Sequence, residues 1–383
     1  MKMKPLTAFC ALNMGQSPSS ETYNEENVGL PFFQGNADFG EVHPKVRIWC
    51  SSPVKVAAAG DILISVRAPI GAMNIANAPC CIGRGLAALS PNPDTCVQEY
   101  LYYALQSRID SLIAQGTGST FKAIGKKTLE DTQIPAYSLD EQQIISDTLS
   151  ETNQLITKAK AQVSLLDQLV KSRFVEMFGD PENNPKHWDK VSLSNVISNA
   201  NNGMARRGND TEGSIVLRLV ELQDGFIDYS SPNRIVLTEA EKKRYLLKNR
   251  DFLFARVNGN PKNVGRCAEF SDIGEPVYHN DHIIRVHFDE NVINGCFASA
   301  LLNSAYGKRQ MAGQIKTSAG QYTINQEGIG AIVTVLPPLE LQNCFAAFVA
   351  EVDKSKFSLK NGRKEACFAV KYIWESLCRG ILI

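Results

Sequence analysis

The sequence predicts an α+β protein in which two similar domains with curled β-sheets are separated by two long helices that form an antiparallel coiled coil. Three observations support this prediction. Residues 140–179 carry a heptad pattern, a second heptad pattern covers residues 340–377, and the segments that precede the two patterns resemble each other. A chain of 383 residues is long enough for two or three domains, each with its own core.

Residues 1–137 are predicted to form the first domain. Short runs rich in β-branched and apolar residues alternate with Gly, Pro and Asn, as in GDILISVRAPIGAMNIA (60–76) and CIGRGLAAL (81–89). Such runs are typical of strands and turns. One helical pattern covers residues 97–116 and has Gly116 as its predicted C-cap. The mixture indicates a curled sheet that is packed with a helix.

Residues 138–180 are predicted to form a central spacer helix. The segment 140–179 contains no proline and no internal glycine, and Ser138 or Asp140 is expected to cap it. About 38 residues give a rod of about 57 Å, which one small domain cannot cover. The apolar seam therefore requires a second helix of similar length. The predicted seam consists of Ile145, Leu149, Ile156, Val163, Leu166 and Val170.

Residues 181–338 repeat the plan of the first domain, and residues 339–383 repeat the long helix. Asp251 lies 190 residues after Asp61, and Gln342 lies 200 residues after Gln142, so the offset between matching segments is nearly constant. The chain is therefore interpreted as a tandem duplication. The alternative, in which each helix packs on its own domain, is disfavoured by the length of the first helix. The predicted seam of the second helix consists of Phe345, Val352, Leu359, Ala366, Val370 and Ile373.

The composition restricts the possible partners. Lys and Arg together number 40, as do Asp and Glu, so a DNA-binding chain of this kind must gather its cations on one face. The ten cysteines contain no Cys-x-x-Cys pair, which gives zinc-ribbon and thioredoxin-type sites no support. The first residues show no signal-peptide pattern, and no segment is apolar enough to span a membrane. We expect a cytoplasmic protein.

Several motifs resemble those of the DNA-specificity subunits of type I restriction–modification systems: GDILISVRAPIG, CIGRGLAAL, TGSTFKAIGKKTLEDTQIP, LDEQQIISDTL and LLDQLVKSRFVEMFGDP. The resemblance covers essentially the whole chain. The second copy keeps weaker forms at residues 251–253 and 336–340, and it has Arg250 where the first has Gly60. By this resemblance, each domain is a target-recognition domain that reads one half-site of a bipartite double-stranded DNA sequence. The helix pair would set the gap between the half-sites.

The resemblance also implies that the chain has no catalytic activity and docks two methyltransferase subunits. Those subunits would bind S-adenosylmethionine and methylate adenine, and restriction subunits, where present, would add ATP-driven cleavage. No cofactor is expected in this chain itself. In agreement, the sequence has no Gly-x-x-x-x-Gly-Lys-Ser/Thr and no Asn-Pro-Pro-aromatic run. A coiled-coil scaffold or adaptor for RNA or protein, without specificity for duplex DNA, remains as the alternative.

Polar residues in loops are the candidates for DNA contact, because Arg, Lys, Asn and Gln bind base edges and Ser and Thr bind phosphates. In the first domain they are Gln16, Ser17, Gln34, Asn36, Arg67, Arg84, Ser119, Thr120 and Lys122. In the second domain they are Arg206, Arg207, Arg218, Arg256, Asn258, Lys262, Arg266, Lys316, Thr317 and Gln321.

Arg67 and Arg256 are the strongest candidates, since both copies place an arginine one strand length after the Asp-hydrophobic turn. The sequence does not indicate which base each side chain reads. The run HNDHIIRVH (279–287) contains three histidines, but a strand with half-buried histidines is a better interpretation than a metal site, because no glutamate base lies nearby.

Overall fold

The computed structural model describes residues 2–118, 122–318 and 320–379. The chain divides into two compact units, which are described separately. Unit 1 combines residues 1–160 with residues 360–383, and unit 2 is the continuous segment 161–359. Each unit therefore contains part of both long helices. Within the described residues, no helix has the length and apolar character that a membrane span requires.

Unit 1 is built on an antiparallel sheet of the order β2-β10-β7-β8, next to a smaller sheet of the order β3-β5-β4-β9-β6. In the smaller sheet β4 and β9 run parallel, with Phe32 opposite Cys81. Strand β1 pairs with β11 and brings the two ends of the domain together. The strands are β1 (Lys2–Pro5), β2 (Cys10–Met14), β3 (Tyr23–Asn24), β4 (Leu30–Phe33), β5 (Trp49–Cys50), β6 (Val56–Ala57), β7 (Ile62–Ser65), β8 (Met73–Ile75), β9 (Cys80–Ile82), β10 (Leu86–Pro91) and β11 (Gln133–Ala136). The helices are α1 (Gln98–Gln106), α2 (Ile109–Ala114), α3 (Lys126–Glu130) and the first part of α4 (Leu139–Phe178).

Unit 2 has the corresponding sheets, with the orders β13-β20-β16-β18 and β15-β14-β19. Here β14 and β19 are the parallel pair, and β12 pairs with β23 as β1 does with β11. A further sheet has the order β17-β22-β21. The strands are β12 (Asp189–Ser192), β13 (Ile197–Asn202), β14 (Ser214–Leu217), β15 (Arg234–Ile235), β16 (Phe252–Ala255), β17 (Val257–Asn258), β18 (Cys267–Glu269), β19 (Val277–His279), β20 (Ile283–Phe288), β21 (Lys316–Ser318), β22 (Gln321–Thr323) and β23 (Val333–Leu336). The helices are the second part of α4, α5 (Glu239–Tyr245), α6 (Gly295–Leu302), α7 (Ala305–Ala312), α8 (Gln326–Gly330) and the first part of α9 (Leu339–Arg379), whose last part belongs to unit 1.

The four-stranded sheets of the two units share strand order and direction, and the helices α1, α2 and α3 have counterparts in α6, α7 and α8, as a tandem duplication predicts. Among the described residues, α5 has no counterpart in unit 1. The pattern over residues 97–116 is not one helix, because α1 ends at Gln106 and α2 begins at Ile109. Unit 2 has the same break between α6 and α7. The two units therefore share the break between these helices as well as the order of the strands.

The helix α4 has well-defined ends. Ser138 and Glu141 form a capping box, in which the Ser138 N–H donates to Glu141 Oε2 at 2.7 Å and the Glu141 N–H donates to Ser138 Oγ at 3.3 Å. Ser138, not Asp140, is therefore the cap. At the other end Gly179 has φ +78° and donates its N–H to Val175 O at 2.8 Å. The left-handed conformation favours glycine at this position.

Within unit 1, the predicted seam packs against the last turns of α9. Ile145 and Leu149 belong to the same buried cluster as Trp374, with Val370 packed against it, and Ile156 is also buried. The Trp374 ring lies 5.9 Å from the ring of Tyr100 in α1. Ala366 is half-buried, and the side chain of Ile373 lies outside the described residues. The C-terminal part of α9 therefore joins the core of the first domain.

Within unit 2, later residues of α4 contact earlier residues of α9. The Phe345 ring in α9 lies 5.5 Å from Phe174 and from Phe178 in α4, whereas Lys356 Nζ lies 2.8 Å from Asp167 Oδ1. Contacts that run forward on one helix and backward on the other define an antiparallel pair. Val352 is buried in this seam. Its half-buried members are Val163, Leu166, Val170 and Leu359.

Candidate DNA interface

Four of the predicted DNA-binding residues of unit 1 meet at the loop between β9 and β10. The Arg84 N–H donates to Ser17 Oγ at 3.2 Å, and the Gln16 N–H donates to Ile82 O at 3.0 Å. A Cβ on Gly85 would overlap Gln34 O, so the chain at Gln34 lies directly against the loop. Residues far apart in sequence therefore form one polar surface.

Arg67 and Lys122 join this surface through the end of β7. The Val66 N–H donates to Gly85 O at 2.9 Å, and the Ala68 N–H donates to Lys122 O at 3.0 Å. Both cations are exposed, and Asn36 is half-buried in the turn that follows Gln34. Ser119 and Thr120 lie outside the described residues.

The cations on this surface of unit 1 have no acidic partner among the described residues. Arg67, Arg84 and Lys122 take part in none of the ion pairs there, while Arg47 nearby pairs with Asp38. An exposed guanidinium that no local carboxylate engages is available to an anion or to an acceptor edge of a base. This surface has the chemistry that DNA contact requires.

In unit 2, several of the predicted DNA-binding arginines are engaged in local ion pairs, among them Arg206 and Arg218. Arg206 Nε and Nη2 lie 3.0 and 2.9 Å from the two carboxylate oxygens of Glu241. Hydrogen bonds from Thr238 and Arg206 hold the pKa of Glu241 below its usual value. Arg218 Nη2 lies 2.6 Å from Oε1 of the buried Glu221. These contacts fix loops, so both side chains have a structural role in the chain alone.

Arg207 and Arg256 converge on the loop between β19 and β20. Arg207 Nη2 lies 3.0 Å from Asp281 Oδ1 and 2.8 Å from His282 Nε2, and Arg256 Nη1 donates to Asp281 O at 3.2 Å. Burial, followed by the charge of Arg207, lowers the pKa of His282. Two arginines, one aspartate and one histidine thus form a compact polar cluster.

The remaining candidates of unit 2 surround the sheet β17-β22-β21 and a neighbouring cavity of about 470 Å³. Lys316, Thr317 and Gln321 are exposed on this sheet. Asn258 Oδ1 accepts from the Asn260 N–H at 2.9 Å. The candidates Lys262, Arg266 and Thr317 line the cavity together with Lys308 and Tyr322. Sequence reasoning missed Lys308, because it lies within a helical pattern where a solvated lysine is ordinary.

Arg67 and Arg256 are not equivalent, which corrects the prediction that paired them. The Ile124 N–H donates to Val66 O, and the matching Ile324 N–H donates to Arg256 O, both at 2.9 Å. Arg256 is therefore the counterpart of Val66, one residue before Arg67. Because side chains alternate across a strand, a shift of one residue changes the face on which each arginine lies.

The β9–β10 and β19–β20 loops are equivalent in detail. The Gly83 N–H donates to Phe33 O at 2.8 Å, and the Asn280 N–H donates to Leu217 O at 3.0 Å. The two turns are closed in the same way: the Leu86 N–H donates to Gly83 O and the Ile283 N–H donates to Asn280 O, both at 3.0 Å. Arg84 consequently occupies the position of Asp281. One backbone geometry presents opposite charges in the two units.

The histidine-containing run near residue 280 has structural contacts. His279 is fully buried next to Tyr245 O at 3.3 Å, and burial, followed by the charge of Arg285, lowers its pKa to about 4. His287 Nδ1 lies 3.2 Å from Asp251 Oδ1. Across the described ranges, no three His, Cys, Asp or Glu side chains come together as a metal-ion ligand set.

Comparisons with known proteins agree with this architecture. A family model described as the type I restriction modification DNA specificity domain matches residues 1–165. A putative type I restriction enzyme MjaX specificity subunit from Methanocaldococcus jannaschii is 44% identical over 143 residues, which are 37% of this chain and 34% of that protein. The type I restriction enzyme StySPI specificity subunit from Salmonella potsdam is 30% identical over 267 residues, which are 66% of this chain and 56% of that protein.

The chain thus matches between a third and about half of the length of these two relatives. A crystal structure of the S subunit of a type I restriction–modification system from M. genitalium matches the fold over 98% of this chain and 95% of that one. The TM-score is 0.58 at 16% sequence identity, so this likeness concerns the fold alone. Residues 1–165 thus match the family model of the type I restriction modification DNA specificity domain, and the fold of the chain is similar to that of a type I S subunit.

Proposed function

We propose that this chain is the non-catalytic DNA-specificity subunit of a type I restriction–modification complex, acting in the cytoplasm. Each unit reads one half-site of a bipartite duplex target, and the two half-sites flank a gap of fixed length. The family match and the fold support this proposal. The curated relatives carry the name of specificity subunits, which supports the same assignment for this chain.

One observation carries the proposal: equivalent loops on a duplicated scaffold present different side chains. Arg84 in unit 1 stands where unit 2 has Asp281, on turns that are closed by the same backbone hydrogen bond. A duplicated enzyme would need a complete set of reactive groups in at least one copy. A reader of two different DNA half-sites needs a constant frame and variable contact residues, because base edges differ in their donors and acceptors.

The long helices support a role as spacer and docking surface. They leave large apolar side chains in water, among them Leu155 at 63%, Leu165 at 61% and Phe357 at 67% exposure. Apolar surface of this kind is typical of a site that a protein partner covers. We propose two methyltransferase subunits as the partners, with restriction subunits in systems that also cleave. Those subunits would bring S-adenosylmethionine and ATP, and this chain would bind neither.

Selection from a pool of random duplexes tests the proposal. The full chain, co-purified with a methyltransferase subunit, should enrich two short sequences separated by a gap of constant length. The double variant Arg207→Ala/Arg256→Ala should relax one half-site and leave the other unchanged, which provides an internal control. A single continuous motif would contradict the two-unit reading. A scaffold for RNA or protein would enrich no duplex at all.

A further inference from the structure

The loop between β9 and β10 is held by contacts from four other segments. The Ile82 N–H donates to Lys55 O at 2.9 Å, the Gly83 N–H to Phe33 O at 2.8 Å, and the Arg84 N–H to Ser17 Oγ at 3.2 Å. Gly85 O accepts from the Val66 N–H at 2.9 Å. These hydrogen bonds fix the backbone of the loop, so the Cα of the residue at its tip has a defined position.

Arg84 is flanked by two glycines, so it is the one residue at the tip of this loop that carries a side chain. A Cβ on Gly83 would lie 3.1 Å from Gln34 Cα and 3.2 Å from the Phe32 ring, and a Cβ on Gly85 would overlap Gln34 O. Both glycines are buried, while Arg84 between them is exposed. The close packing of the glycines therefore sets Arg84 apart as the single projecting group of the loop.

The surroundings of Arg84 give it no local structural task. It takes part in none of the ion pairs among the described residues, and its neighbours across the loop are the uncharged Gln16, Ser17 and Gln34. The equivalent Asp281 in unit 2 is, by contrast, paired with Arg207 at 3.0 Å. The same loop position thus carries an ion-paired residue in unit 2, and in unit 1 it carries a cation without an ion pair among the described residues.

We propose that Arg84 is a specificity-determining residue of the first half-site and that it reads a guanine through the major groove. This inference rests on the proposed function. The guanidinium fork presents two parallel donors, and guanine is the base whose major-groove edge offers two acceptors, O6 and N7, without a donor. Adenine and cytosine present an amino donor there, and thymine presents one acceptor beside a methyl group. Arg67 and Lys122, at the edge of the same surface, are placed to contact the flanking phosphates.

The test combines protein variants with modified DNA. Duplexes carrying the selected bipartite sequence receive 7-deazaguanine, which lacks the N7 acceptor, at one guanine at a time. Each is bound by the full chain in complex with a methyltransferase subunit. For the wild type, one guanine of one half-site should lose roughly 5- to 150-fold in affinity, the range of a bidentate contact. The Arg84→Ala variant should show the same loss on unmodified DNA and no further loss at that guanine.

Two further variants sharpen this test. Arg84→Lys keeps the charge but loses the planar fork, so its preference for that guanine should be weaker than that of the wild type. Lys126→Ala removes an exposed cation that pairs with Glu130 at 3.2 Å, and it should behave as the wild type. If Arg84→Ala keeps its sensitivity to every modified guanine, or weakens all duplexes equally, Arg84 does not read a base. If the wild type itself prefers no sequence, the proposed function fails instead.

Discussion

A single buried glutamine ties each long helix to the domain that precedes it. Gln142 Oε1 accepts from the Val97 N–H at 2.9 Å, and its amide donates to Thr95 O and Tyr137 O, each at 3.0 Å. Gln342 repeats the arrangement, with the Asn294 N–H at 2.8 Å and Pro337 O at 2.7 Å. Both side chains are fully buried. The glutamine of the motif therefore orients the helix relative to the loop before α1 or α6.

Replacing Gln142 by alanine should destabilise unit 1. The change removes the acceptor of the half-buried Val97 N–H and one donor to each of two carbonyls, so we expect a loss of roughly 1–3 kcal/mol in the free energy of unfolding. Gln143→Ala is the matched control, because the Gln143 side chain is exposed and donates to Asp147 in the same helix. Denaturant unfolding measures both variants. Equal stability of the two would show that the buried contacts are dispensable.

The buried His279 should make the stability of unit 2 depend on pH. Its folded pKa of about 4 lies below the ordinary value of 6.5, so the unfolded chain takes up the proton more readily. The free energy of unfolding should thus fall as the pH drops below 6.5, by about 2 kcal/mol between pH 7 and pH 5. Above pH 7 this contribution stays constant.

Unfolding of His279→Gln over the same pH range isolates this effect. Glutamine can still donate to Tyr245 O but does not titrate, so the variant should lose that part of the pH dependence. The substitution of the exposed His187 by glutamine serves as a control and should keep the wild-type slope. An unchanged slope in His279→Gln would assign the pH dependence to other groups.

Sequence reasoning found the polar loops of the site but not the state of each side chain. Arg84 and Ser17 are 67 residues apart, and their contact depends on sheet pairing that no local pattern encodes. The ion pair of Arg206 with Glu241 spans 35 residues for the same reason. The equivalence of Arg67 and Arg256 failed by one residue because the strand pattern locates a strand more readily than it fixes its end.

At the scale of elements, both long helices were predictable because a heptad pattern is local and periodic. α4 begins at Leu139 and ends at Phe178, within one residue of the predicted 140–179 segment. Phe174 was missed, since it lies beside the heptad seam and not in it. In the structure it belongs to the aromatic core of unit 2, 5.7 Å from Phe297 and 5.5 Å from Phe345.

The proposed spacer role predicts that the gap follows the length of the helices. One heptad inserted after Ala159 in α4, matched by one after Lys360 in α9, keeps both seams in phase. Seven residues add about 10 Å, or about three base pairs of duplex, so the selected gap should lengthen by that amount. A heptad in α4 alone is the control and should impair folding or assembly. A gap that stays constant in the double insertion would exclude the spacer role.

At the scale of the whole molecule, the duplication organises both fold and function. The net charge is zero, with 40 basic and 40 acidic residues, so the proposed DNA affinity would have to come from local surfaces such as the one around Arg84. Unit 1 leaves its cations unpaired there, and unit 2 engages Arg206 and Arg218 with acids. The two units would therefore contribute unequally to phosphate binding while each reads its own half-site.

The central claim, that two units read two half-sites, is tested most directly in cells. The chain is expressed with a methyltransferase subunit in a host without other adenine methylation, and N6-methyladenine is mapped across the genome. We predict a split motif with two short half-sites and a constant gap of unspecified bases. Methylation at a continuous motif, or at a motif that one unit alone can specify, would contradict the account.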